Sequence, residues 1–74
     1  MSIEVRLFAT LREGRDKKIY VDYEEGLNGN AIVEKLNIPK DEVAIFLVNG
    51  RDLALDKELK ENDVISIFPP VGGG

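Results

Sequence analysis

The chain has 74 residues, 43% of them hydrophobic and 32% charged, and a formal net charge of -4. That length builds one domain around one small core, and the acidic balance argues against nucleic acid as a partner, because phosphate contacts need clustered Lys and Arg. Cysteine and histidine are both absent, which removes disulfides, thiolate metal sites, nucleophilic sulfur and the commonest general base together.

Met1-Ser2-Ile3-Glu4 leads straight into a strand pattern, so the expectation is a chain with no leader that works in the cytoplasm. No apolar run approaches the ~20 residues of a membrane span, so no membrane partner is expected. Ile3, Val5 and Leu7 alternate with Glu4, Arg6 and Phe8, the period-2 signature of a half-buried strand. Residues 10–17 are charged, contain Gly14 and form the connection to a second strand over Lys18 to Tyr23, with Ile19 and Val21 on one face. The two strands predict an antiparallel hairpin with a long loop. Glu24-Glu25-Gly26 breaks the second strand. Asn28 or Asn30 then caps a short helix over Gly29 to Leu36, with Ile32, Val33 and Leu36 at helical spacing and Pro39 preventing its continuation.

Val43 to Val48 is a continuous apolar run of strand type, ending at Asn49-Gly50, the strongest short hairpin signal. Leu53 to Leu55 is the expected return strand. Leu59, among five charged neighbours, pins a crossing loop to the core, and Asn62-Asp63 turns the chain into a last strand, Val64 to Phe68. Residues 1–68 thus form the domain, and 69–74, Pro-Pro-Val-Gly-Gly-Gly, form a flexible tail.

The tail carries chemistry that the domain lacks. Three terminal glycines bury nothing and are costly to order, but they pass through a channel too narrow for side chains and deliver a carboxylate to its far end. A frayed terminus or a cloning remnant is the alternative account. The Phe68-Pro69-Pro70-Val71 lead-in argues against it, because Pro69-Pro70 favours an extended backbone that aims the tail outward. Six extended residues reach roughly 20 Å.

The order strand, strand, helix, strand, short strand, strand predicts an α+β domain of the β-grasp (ubiquitin-like) kind. A mixed sheet then carries one main helix on one face, with the first and last strands parallel at its centre. Over its whole length the chain resembles the MoaD/ThiS sulfur-carrier family, most nearly the small subunits of molybdopterin synthase. The resemblance is carried by Val5-Arg6-Leu7-Phe8-Ala9-Thr10-Leu11-Arg12-Glu13, by Val48-Asn49-Gly50-Arg51, and by the stretch from Leu59 through Phe68-Pro69-Pro70-Val71-Gly72-Gly73-Gly74. Two departures are conservative: Asn62-Asp63 stands where the family usually has Gly-Asp, and Gly72 occupies the variable position before the terminal glycine pair.

The resemblance implies a role for each tail residue. A ubiquitin-activating-type adenylating enzyme (MoeB/ThiF-like) uses ATP to convert the Gly74 carboxylate to an acyl-adenylate. Sulfur displaces AMP to leave a thiocarboxylate, and the large subunit of the synthase (MoaE-like) receives it and passes the sulfur to a pterin precursor. Gly74 is the residue that reacts, Gly72 and Gly73 give backbone clearance, and Pro69, Pro70 and Val71 give direction and grip. The catalytic groups and the nucleotide site belong to the partners, and no cofactor is expected on the chain itself. Two other classes use the same activated carboxyl group. One is a carrier feeding thiamine thiazole synthesis or tRNA thiolation, and the other is a ubiquitin-like modifier joined to lysines through Gly74. The Phe-Pro-Pro-Val lead-in favours the first class.

Phe8 and Phe68 form the second candidate constellation. If Ile3, Val5, Leu7, Ile65 and Ile67 face the helix, both phenylalanines emerge on the opposite face, at the same end of two parallel neighbours and beside the root of the tail. An exposed aromatic pair there suits a docking patch. The alternative is that loop residues cover the rings or that a bulge shifts the alternation. Arg6, Arg12 and Arg51 are candidates for the same surface, though solvated charges explain them nearly as well. The acidic groups show no metal-loop spacing and are assigned to solvated surface.

Overall fold

Alternation along the first and last strands sets the core. In the computed structural model, which describes residues 1–70, Ile3, Val5, Leu7, Ile65 and Ile67 are fully buried. They belong to β1 (Ser2–Leu7) and β5 (Val64–Phe68), which pair in parallel with Val5 opposite Ile65 and Leu7 opposite Ile67. β2 (Lys18–Asp22) pairs antiparallel with β1, and β3 (Ile45–Val48) antiparallel with β5. β4 (Arg51–Asp52) closes the far edge, giving the sheet order β2-β1-β5-β3-β4. Helix α1 (Gly29–Lys35), the one α-helix among the described residues, buries Ile32 and Val33 in the cluster that these strands form. This is the expected β-grasp arrangement, with the first and last strands parallel at the centre. Among the described residues no helix is long and apolar enough to cross a membrane.

Both ends of α1 are set by asparagines. Asn28 is the N-cap, its side-chain oxygen accepting from the Ala31 amide at 3.0 Å. At the other end Asn37 takes a left-handed conformation, φ 57°. The Asn37 amide donates to Glu34 O and the Ile38 amide to Val33 O, the paired bonds of a Schellman ending. Asn37 therefore ends the helix just past its Leu36 C-cap, two residues before the proline that sequence alone singled out. Gly29 lets α1 lie close to the sheet: a Cβ there would come within 2.8 Å of Leu55 Cδ2 and Phe46 Cζ.

Four expected boundaries shift. β2 ends at Asp22 rather than Tyr23, and the helix ends one residue earlier, with Leu36 as its C-cap. β3 begins at Ile45 rather than Val43, because Pro39 opens a 3-10 helix over Lys40–Glu42. Its apolar run is buried on one face only, with Phe46 and Val48 inside and Ile45 45% exposed. The return strand is Arg51–Asp52, not Leu53 to Leu55. Asn49 and Gly50 both have positive φ, 52° and 83°, so the two-residue turn pairs Val48 directly with Arg51. Leu53 and Leu55 instead pack half-buried against the core. The loop after β1 is also more ordered than its charge suggested: Ala9–Arg12 is a 3-10 helix that buries Leu11 completely.

Two anchors hold the crossing segment. Leu59 is buried as expected, and its amide donates to Leu27 O at 2.7 Å. Asn49 ties the β3–β4 turn to the start of β5, accepting from the Val64 amide and donating to the Asp63 carboxylate, each at 2.9 Å.

Candidate docking site at the root of the tail

Because Leu7 pairs with Ile67, the next residues of the two central strands come side by side. Phe8 and Phe68 stack with ring centroids 4.3 Å apart and planes 11° from parallel. The Phe8 amide donates to Ile67 O at 3.3 Å. Both rings are half-buried: one face of the sheet carries α1, and these rings lie on the other. Each shelters part of the other, so the patch is a preassembled pair rather than two separate side chains. Pro69 and Pro70 follow Phe68 directly, half-buried and exposed respectively. Val71, Gly72, Gly73 and Gly74 lie outside the described residues.

The strands add a third apolar member that the sequence reading left out. Ile45 stands opposite Phe68 in the β3–β5 ladder, and the adjacent Ala44 amide donates to Phe68 O at 2.8 Å. Cross-strand partners share a face, so Phe8, Phe68 and the exposed Ile45 form one row across three strands. The alternation that puts Phe46 and Val48 inside would have placed Ile45 outside, but an unbroken apolar run conceals that phase.

The arginines separate. Ala9, immediately after Phe8, has φ 54°, a conformation that only glycine adopts readily. This turn sends Leu11 into the core and brings Arg12 back over the Phe8 ring, with the guanidinium carbon 5.4 Å from the centroid. Arg12 Nε also donates to Leu7 O at 2.8 Å. Arg6 lies one pleat back from Phe8 on the same face and is ion-paired with Glu4. Arg51 is not brought to this site. It pairs with Val48, which pairs with Ile65, so it stands at the opposite end of β5 from Phe68.

A larger surface depression lies elsewhere, between the loop before β2 and the end of α1, lined by Gly14, Arg15, Asp16, Ile19, Lys35 and Leu36. Its arginine is occupied by backbone carbonyls of Leu11, Leu36 and Asn37. Among the described residues no three His, Cys, Asp or Glu side chains gather as a metal site. The tail-end site thus brings together apolar and cationic groups beside Pro69 and Pro70.

A five-stranded mixed sheet with one helix on one face and its last strand running out into Pro-Pro defines a ubiquitin-like protein of the β-grasp class. The model of the ThiS family matches residues 5–74, and the chain belongs to that family. SAMP1 of Haloferax volcanii is similar over 100% of both chains, with 27% identity and a TM-score of 0.76. A Pyrococcus furiosus protein assigned as molybdopterin converting factor, subunit 1, is 26% identical with a TM-score of 0.76, over 96% of this chain and 99% of that one. Subunits 1 and 2 of molybdopterin-converting factor from Helicobacter pylori are solved as a complex. A chain of it matches at 27% identity and a TM-score of 0.66 over 100% of both chains. No curated protein matches the chain.

Proposed function

We propose that the protein is a sulfur carrier acting as the small subunit of a molybdopterin synthase in the cytoplasm. The observation that carries this reading is that Phe68, half of the stacked Phe8–Phe68 pair, is followed at once by Pro69-Pro70 and, in the sequence, by Val71-Gly72-Gly73-Gly74. The Helicobacter pylori complex supports it, since there a chain similar to this one is seen with a second subunit.

A carboxylate is a poor electrophile, because its charge and resonance resist attack. An adenylating partner overcomes this with ATP: a Gly74 carboxylate oxygen attacks the α-phosphate, pyrophosphate leaves, and an acyl-adenylate with a good leaving group results. The terminal sulfur of a persulfide then attacks the carbonyl and expels AMP. Cleavage of the acyl disulfide by a thiol leaves that sulfur on Gly74 as a thiocarboxylate. With no cysteine in the chain, sulfur is held on Gly74 and the thiols belong to partners. The large subunit receives the tail, and the thiocarboxylate gives its sulfur to the pterin precursor there. Phe8 and Phe68 hold the domain while Gly72 and Gly73 occupy the channel.

The likeness to SAMP1, named for a small archaeal modifier protein, favours a second reading in which a lysine amine attacks the same adenylated Gly74. Intact mass spectrometry of protein recovered from its native cells separates the two. A carrier shows a species with one terminal oxygen replaced by sulfur. A modifier shows this chain joined through Gly74 to lysines of larger proteins and no such species, which overturns the carrier reading.

A further inference from the structure

Arg12 is restrained before any partner arrives. Nε is committed to Leu7 O, and the guanidinium carbon lies over the Phe8 ring, 5.4 Å from its centroid. A surface arginine usually gives up ~2 kcal/mol of rotamer freedom to be fixed by a ligand; here the fold has already removed part of it. The ion pair found among the described residues joins Arg6 to Glu4, and the Arg12 Nη groups have no hydrogen-bond partner among those residues. They form the half of the guanidinium that grips a carboxylate with two parallel bonds.

Lys17 and Lys18 share the neighbourhood. Leu7 N donates to Lys17 O, and Lys18 stands opposite Arg6 in the β1–β2 ladder. With Arg6, Leu7, Phe8 and Arg12 they line one shallow depression; Glu13 and Asp16 do not line it, and Glu4, which is ion-paired with Arg6, does not either. A chain of net charge -4 thus gathers cations at the end of the sheet where the tail departs. At about 250 Å³ the depression is smaller than the ~300–1,000 Å³ of small-molecule sites, and it opens beside the apolar row. An apolar row flanked by cations is complementary to a protein surface with an apolar anchor and an acidic rim.

We infer that Arg12, Lys17 and Lys18 form a receptor for a side-chain carboxylate of the protein that docks on the Phe8, Phe68 and Ile45 row. The inference rests on the carrier reading, in which that protein must grip the domain while it holds the tail. Arg12 supplies the fixed, bidentate contact. Lys17 and Lys18 supply mobile charge that speeds encounter and makes it sensitive to salt.

The test is calorimetric titration of the full chain against the purified adenylating enzyme and large subunit of its own organism, at low and high salt. Thermal melts establish that each variant is folded. Arg12→Lys keeps the charge but loses the bidentate fork, and is expected to weaken binding about tenfold. Lys17→Gln/Lys18→Gln is expected to weaken binding mainly at low salt and to flatten the salt dependence. The same Arg12→Lys loss should persist in a chain ending at Val71; if it disappears there, the site serves the chain's own terminal carboxylate and the inference fails. Wild-type binding with both variants unchanged overturns the inference and leaves the carrier reading standing. A wild-type chain that binds neither enzyme overturns the carrier reading and, with it, the inference.

Discussion

Arg15 caps the helix from outside it: Nε donates to Leu36 O at 3.3 Å and Nη2 to Asn37 O at 3.0 Å. Nη1 reaches Leu11 O, so one guanidinium joins the loop after β1 to the end of α1. A cation at a helix C-terminus also complements the carbonyl end of the macrodipole. Arg15→Ala should cost about 1–2 kcal/mol, or roughly 4–16 °C in melting temperature for a domain of this size. Because this clamp lies at the helix end, binding to partners should survive in the folded fraction. A melting curve that superimposes on wild type would show that the clamp contributes nothing.

Gly29→Ala should be destabilising even though alanine is the better helix former. The added methyl would stand 2.8 Å from Leu55 Cδ2 and Phe46 Cζ, and relieving such overlap typically costs about 1–3 kcal/mol, more than the ~1 kcal/mol of helix propensity gained. Urea unfolding measures the balance. A variant more stable than wild type would mean that Leu55 and Phe46 yield freely.

The aromatic pair should matter to binding more than to folding. Phe8→Ala and Phe68→Ala are each expected to weaken partner binding by roughly 1–3 kcal/mol. Truncating Val5 or Ile67, both fully buried, should cost more stability than either change, at about 2–5 kcal/mol for Ile67→Ala. Because the rings stack on each other, the double variant should lose less than the two single losses combined. Calorimetry and urea titration together decide it. Unfolding caused by Phe68→Ala, with binding intact in refolded protein, would make the ring structural.

Gly73→Val should leave the melting temperature unchanged and abolish thiocarboxylate formation by the adenylating partner. The motive is the absence of side chains over Gly72, Gly73 and Gly74 in a chain that otherwise fills its strands with large residues. Mass spectrometry after incubation with partner, ATP and a persulfide source reads the outcome. Normal loading of Gly73→Val would remove the narrow channel from the mechanism.

The sequence by itself determined the four longer strands and the α-helix, because they rest on local rules. Period-2 alternation marked β1 and β5, the Asn49-Gly50 pair marked its hairpin, and Asn28 was one of two caps considered. The departure at Asn62 is also local: its φ of 67° is a left-handed position, where Asn substitutes for Gly at small cost. The proposal for the tail likewise rests on sequence, on the side chains that Gly72, Gly73 and Gly74 omit. Only the tertiary structure decided which distant residues meet. Sheet order brought Ile45 beside Phe68 and placed Arg51 at the other end of β5. Ala9 curled Arg12 back over Phe8, and Arg15, one of several charges in a polar loop, became a cap for a helix twenty-one residues away. Such contacts join residues through backbone carbonyls and strand registers, which carry no side-chain signature, so chain folding alone sets them.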